Sequence, residues 1–332
     1  MIGNDQDNRA VTPIVATVLL VAVLVILAGT LAASFFGYTE KIGGPTGQAA
    51  FEYAESPVGL EMTPTQIGQD VTVEINGKQI TTFDTDDAGE TKLIPTSPGD
   101  QLTVIAADGS RSVLVSRTID NRDELGDFIA HYTFEEGSGP TLVDRSGNGN
   151  DGKITGADWI TGSDTGLAFD RNGDHVDVTD LETPGFEVDE FTIAVAYKTN
   201  DDRKQELVEH ISGADNWGLE LNENTPNTYE PVFFADETGG SQSGEISSGI
   251  HDVGERQVLI GTYDGSQIEV FVDGNSRATG HFSSDISMED MHIGEDAEGG
   301  INDYLDGEIY EIRLYYSAFD DNEVKSITKV ME

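Results

Sequence analysis

Cysteine is absent from the 332 residues, which excludes disulfides, thiolate-bound haem and cysteine zinc sites and leaves the redox compartment open. Basic residues are scarce, 18 against 62 acidic ones, and with no basic patch to neutralise phosphates nucleic acid is excluded as a partner. No Asn-x-Ser/Thr sequon occurs, so an N-glycan of the usual kind is not expected. Tryptophan is nearly missing, and only Trp159 and Trp217 could stack on a sugar.

What is present is acid. The net charge of −44 is spread along the chain and not gathered in one tail. At ordinary ionic strength such a surface repels itself. In molar salt the Debye length shrinks to ~3 Å, so dense carboxylates stay hydrated without that penalty, which points to a halophile. Disorder also favours charge, but 37% of the residues are hydrophobic and alternating strand patterns recur. The length predicts two folded units plus a short extra segment.

From Ala10 to Thr39 there is no charged residue, and Val18 to Ala28 is apolar on every face. A bilayer takes about 20 such residues as a helix. A buried core helix would carry a polar stripe, and a secretory signal has a shorter apolar region. Residues 11–38 are therefore expected to insert in the membrane. Arg9 offsets Asp5 and Asp7 in the leader, so orientation rests as much on the domains that follow.

The run Asn8-Arg9-Ala10-Val11-Thr12-Pro13-Ile14-Val15, entering this apolar stretch, resembles the N-terminus of haloarchaeal type IV pilins. The resemblance implies a leader over 1–10, cut by prepilin peptidase between Ala10 and Val11, and a helix that packs with those of other subunits as a filament core. Ala16, Ala22, Ala28, Gly29, Ala32 and Ala33 suit close helix approach. An uncleaved single-span anchor in membrane lipid is the alternative.

Residues 39–119 read as a small antiparallel β-sandwich or barrel. Val71, Val73 and Ile75 alternate up to the turn Asn76-Gly77, with residues 78–83 returning; Leu102, Val104 and Ala106 alternate up to Asp108-Gly109, with Val113 and Val115 returning. The unit is similar to a haloarchaeal pilin head. A charged linker, 120–128, follows.

Residues 129–332 carry strands at short spacing and no long helical period, which predicts a sandwich or jelly roll. Ile268, Val270 and Val272 share one face; Tyr310, Ile312, Leu314 and Tyr316 are expected to share another. A terminal helix is predicted from Asp320 and Glu323 as a capping pair and from the stripe Val324, Ile327, Met331.

The succession His131-Tyr132-Thr133-Phe134, Asp144-Arg145-Ser146-Gly147-Asn148-Gly149-Asn150, Phe169-Asp170-Arg171-Asn172-Gly173-Asp174-His175-Val176, Phe191 to Tyr197, Gly261-Thr262-Tyr263-Asp264-Gly265, and Ile293-Gly294 through Tyr316-Ser317-Ala318 resembles the laminin-G-like, concanavalin A-like jelly roll. The resemblance implies a binding domain and a structural calcium ion at the sandwich edge. Its ligands would fall on Asp144 in the opening turn and Glu311 in the last long strand, with Asp174 more distant. Calcium takes 6–8 oxygen ligands, which turn carboxylates and carbonyls can supply. The competing role for Asp144 is to organise its own turn.

Retaining glycoside hydrolysis needs two carboxylates ~5–5.5 Å apart. Glu206 and Glu209 fall on opposite faces of a regular strand, so no such pair is expected and the chain reads as no enzyme. The histidines, His210 and His251 among them, lack zinc-binding spacing and read as surface or turn residues. Trp217 reads as core. No ligand-binding residue is assigned. The sequence thus predicts a mainly β, pilin-like surface protein of a halophilic archaeon, anchored in the cell membrane with its C-terminal domains outside and displaying a laminin-G-like domain that binds a glycan or protein for adhesion. The alternatives are a monomeric anchored binding protein and a surface glycosidase.

Overall fold

The computed structural model describes residues 40–42, 49–97, 99–107, 112–119, 126–181, 187–211, 215–225, 228–237, 243–249, 252–295 and 303–332. The leader, the apolar segment 11–38 with the Ala10–Val11 bond, most of the 120–128 linker, the Asp108-Gly109 turn and His251 lie outside them. Among the described residues no helix is long and apolar enough to cross a membrane.

The fold is mainly β. Two four-stranded antiparallel sheets form the head. One orders Glu40–Ile42, Ala49–Ser56, Gly59–Ile67 and Lys92–Pro95; the other orders Lys78–Phe83, Val71–Ile75, Gln101–Ala106 and Val113–Thr118. Alternation puts Val71, Val73, Ile75, Leu102 and Val104 inward, against Phe51 and Phe83. Asn76 and Gly77 take φ of 51° and 83°, the left-handed pair that a two-residue hairpin matched to strand twist requires.

The C-terminal domain stacks two larger antiparallel sheets. The front sheet orders Thr141–Leu142, Gly152–Thr155, His175–Val178, Met291–Ile293, Gln205–Ile211, Asp215–Thr225, Thr228–Glu237 and Ser243–Ser247. The back sheet orders Asp158–Ile160, Gly166–Asp170, Asp306–Tyr315, Phe191–Thr199, Gln257–Tyr263, Gln267–Val272 and Asn275–His281, with Phe128–Tyr132 also paired to Asp306–Tyr315. Between them lies an aromatic centre in which Phe191 meets Trp217 at 5.2 Å and both Phe233 and Tyr263 at 6.0 Å. Each such buried ring contributes on the order of 2–3 kcal/mol.

One expected face is corrected. Ile312 and Leu314 point into this core, but Tyr310 points the other way. The register between Phe191–Thr199 and Asp306–Tyr315 shifts at Ala196/Tyr197, pairing Ala196 with Glu311 and Tyr197 with Ile309, so Tyr310 is the extra residue of a bulge. It lies under the Arg256 guanidinium, 4.4 Å from its ring centroid.

The terminal helix, Asp321–Met331, starts at a complete capping box of Asp320 and Glu323. Val324, Ile327 and Met331 cover the outer face of the back sheet at Val258, Ile260 and Phe271. Its last turn also reaches the head: Lys78 Nζ donates to the Val330 carbonyl at 2.9 Å, Lys329 Nζ donates to that of Ile80, and Val330 packs on the head core.

Candidate functional site

The front sheet presents its outer face free of any covering helix among the described residues. Along each strand the inward positions are apolar: Val176, Val178, Met291, Ile293, Trp217, Leu219, Phe233 and Ala235 belong to the core. The alternate positions must therefore point outward. Register lines several of them up in one row, Asp177 opposite His292, His292 opposite Glu209, Glu209 opposite Gly218, Gly218 opposite Phe234, and Phe234 opposite Glu245. A Cβ at position 218 would come within 2.8 Å of the Phe234 ring, so glycine is what lets that ring lie across the row.

A second bulge changes the expected chemistry here. The Gln205–Ile211 strand shifts register between Glu206 and Val208, where Glu206 pairs with Glu220 and Val208 with Leu219. Leu207 is the inserted residue, and Leu207 and Val208 both enter the core. Glu206 and Glu209 consequently come out on the same face, not on opposite ones as a regular strand would put them. Sequence reasoning missed this because nothing local in Glu206-Leu207-Val208-Glu209 marks the insertion.

Glu206 is 2% exposed. Burial pushes its carboxyl well up, and Glu220, within hydrogen-bonding reach, and Glu209 push further. An ionised Glu206 would set acceptor against acceptor beside Glu220, so this buried position favours the protonated form of Glu206. Lys204 Nζ stands 3.4 Å from Glu206, 3.6 Å from Glu220 and 3.2 Å from Asp303. Burial alone would lower the lysine, and the surrounding carboxylates reverse that and hold it charged. Glu245, at the far strand, is raised by burial and by Glu220.

Of the calcium candidates from the sequence, Asp144 and Glu311 are linked through His131, and Asp174 belongs to a separate turn. Asp144 Oδ1 accepts from the amides of His131 and Ser146 at 3.0 and 2.9 Å. Its Oδ2 accepts from Ser146 Oγ at 2.7 Å and from the amides of Gly149 and Asn150 at 3.1 and 3.0 Å. Glu311 Oε1 accepts from Arg313 Nε at 2.7 Å and meets His131 Nε2 at 2.9 Å. Asp174 accepts from the Asp170 amide at 2.9 Å, and burial raises its pKa. Among the described residues these three do not converge on one point.

Trp217 is fully buried and donates to the Ser287 carbonyl at 3.2 Å. His210 is also buried, stacked on Trp217 at 5.5 Å, which corrects its reading as a surface or turn residue. His131 is buried as well. Trp159 is half-buried and anchored by its Nε1 to the Gly139 carbonyl at 2.8 Å.

Two antiparallel sheets packed face to face are the concanavalin A-like sandwich architecture, and comparison with known proteins agrees. Residues 170–325 match the family model of the concanavalin A-like lectin/glucanases superfamily, and residues 9–50 match that of the archaeal type IV pilin N-terminal segment. The chain therefore matches the models of the two families whose resemblance its sequence carries, each over part of its length. Among solved structures, domain 4 of an extracellular GH43 arabinanase from Geobacillus stearothermophilus, in complex with arabinotriose, superposes with a TM-score of 0.50 at 15% identity, over 61% of this chain and 98% of that one. The binding domain of botulinum neurotoxin serotype D superposes with a TM-score of 0.50 at 10% identity, over 61% of this chain and 51% of that one, so the chain spans about half its length. At these identities the likeness is one of fold. No curated protein matches the chain.

Proposed function

We propose that this protein is a pilin-type subunit of a halophilic archaeal surface, held in the membrane or in a filament by residues 11–38, whose concanavalin A-like domain binds carbohydrate through the outer face of the front sheet and so serves adhesion. The observation that carries the reading is the union, in one chain, of a pilin N-terminal segment at 9–50 with a concanavalin A-like domain at 170–325. The arabinanase domain of the same fold was solved with a trisaccharide; extending that ligand class to this chain rests on fold analogy. The polar groups of the face that reach solvent, Asn222, Lys204 and Glu245, offer both donors and acceptors to sugar hydroxyls. The net charge of −44 supports the saline setting.

Two measurements test it on protein from native membranes. Mass spectrometry of the N-terminal peptide is expected to find a chain beginning at Val11; one beginning near Met1 leaves a single-span anchor and removes the filament. Binding to a polysaccharide panel in molar salt is expected to fall when Asn222→Ala and Phe234→Ala are combined. Binding unchanged by that pair, or none to any polysaccharide, overturns the assignment of this face.

A further inference from the structure

His175 and His292 are far apart in sequence, yet the front sheet brings them together. His175 and Asp177 share one face of the His175–Val178 strand, two residues being its repeat. Asp177 pairs directly with His292. Gly294 then takes a φ of +82°, and a Cβ there would lie 2.6 Å from the Phe169 ring, so only glycine makes the turn that returns Glu295 to the same face.

Four side chains meet as a result. His175 Nε2 is 3.6 Å from Asp177 Oδ2, and His175 Nδ1 is 3.4 Å from Glu295 Oε2. His292 Nδ1 is 3.4 Å from Asp177 Oδ1 and 3.5 Å from Glu295 Oε1. One donor atom from each of His175, Asp177 and Glu295 lies within 4.8 Å of the other two. All four side chains are half-buried, 14–27% exposed, so an ion could enter.

Direct hydrogen bonding does not account for this geometry. N–H···O bonds run ~2.7–3.2 Å, and every one of these contacts is longer. His292 Nδ1 is buried without a hydrogen-bond partner, although a polar atom in that position normally has one. One donor atom from each of His175, Asp177 and Glu295 can instead be directed at a common point by small side-chain adjustments, which a shared ion would draw together. His175 Nδ1 is also 2.9 Å from the Gly173 carbonyl. Donation there fixes the tautomer and leaves the Nε2 lone pair free, the supporting bond that metal-bound imidazoles use.

We propose that His175, Asp177 and Glu295 form a site for a divalent transition-metal ion of the zinc class, its fourth position open to water or to His292, whose Nδ1 faces Asp177 and Glu295. An imidazole ligand disfavours calcium and magnesium, which take oxygen ligands, and suits zinc and its neighbours. Two carboxylates balance the ion's charge. The site joins the His175–Val178 strand to the turn beyond Met291–Ile293, so it staples the sheet from outside.

The test uses the full chain, extracted in detergent at molar salt, stripped with EDTA and dialysed against zinc, cobalt or calcium. One zinc retained per chain, a raised thermal midpoint with zinc but not with calcium, and the strong visible absorption of four-coordinate cobalt are expected. His175→Gln should weaken zinc retention at least tenfold while leaving the melt in EDTA unchanged. If the variant fails to fold, the cobalt spectrum of the unaltered protein decides. Absence of that spectrum, no retained zinc, or retention undiminished in the variant, which would mean an adventitious ion only on an acidic surface, overturns the site.

Discussion

Glu206 and Glu220 face each other across neighbouring strands of the front sheet, paired in register and both buried, with Lys204 at 3.4 and 3.6 Å as their shared cation. Burial first, then Glu220, raises the Glu206 pKa above its ordinary 4.5. The native state therefore holds a proton that the unfolded chain releases. Stability from this group is full below pH 4.5 and is lost as pH rises through the folded pKa.

Glu206→Gln should accordingly raise the melting temperature at pH 7–8 and give no gain below pH 4.5. The amide keeps the volume and supplies the donor permanently. Thermal melts across that range check it, and a variant less stable at pH 8 overturns the protonated Glu206.

Glu311 behaves in the opposite sense. Burial alone would raise it, but Arg313 and His131 outweigh burial and hold it down to about 2. Burial also depresses His131 below 6.5, so that ring stays neutral. Both shifts give stability that is lost toward acid, from below pH 6.5 for His131 and from 4.5 toward 2 for Glu311. Arg313→Met leaves the Glu311 carboxylate buried without its cation and should cost about 3–5 kcal/mol at pH 7, shrinking below pH 4.5. Denaturant melts at pH 7 and pH 4 measure the difference.

Asp144 accepts five hydrogen bonds from the turn it heads and from His131. Asp144→Asn turns one oxygen into a donor aimed at donors, and the expected cost is about 2–4 kcal/mol. Urea unfolding of the two proteins in the same salt reads it; a loss under 1 kcal/mol would show that the turn holds without the carboxylate.

Asp320→Ala removes the cap that accepts from the amides of Asn322 and Glu323 at 2.7 and 3.0 Å. The expected loss is about 1 kcal/mol. Hydrogen exchange should quicken first in residues 321–324, because a cap acts on the first turn.

Dilution from molar to 0.1 M salt lengthens the Debye length from ~3 to ~10 Å and lets 62 acidic groups repel one another. The melting temperature should fall steadily through a KCl series, and sucrose at matched osmolarity should not restore it. A melt indifferent to salt would remove the halophilic reading.

Much of the architecture was legible in sequence because its signals are local. Alternation marked Val71–Ile75 and Gln267–Val272, Asn76-Gly77 marked a hairpin by the φ values it alone tolerates well, and Asp320 with Glu323 marked a helix start. The ordered fragments from His131 to Ala318 carried the resemblance that the match over 170–325 supports.

The tertiary structure decided which side chains act together. A strand written in sequence has period two, and one inserted residue reverses every face beyond it. Leu207 and Tyr310 are such insertions, and they set Glu206 beside Glu220 and turn Tyr310 out of the core. The meeting of His175 with His292 depends on strand order, which places residues distant along the chain on adjacent strands. Sequence determined the elements because turns, caps and alternation are short-range chemistry; register and sheet order fixed the sites because they are settled only when the strands pair.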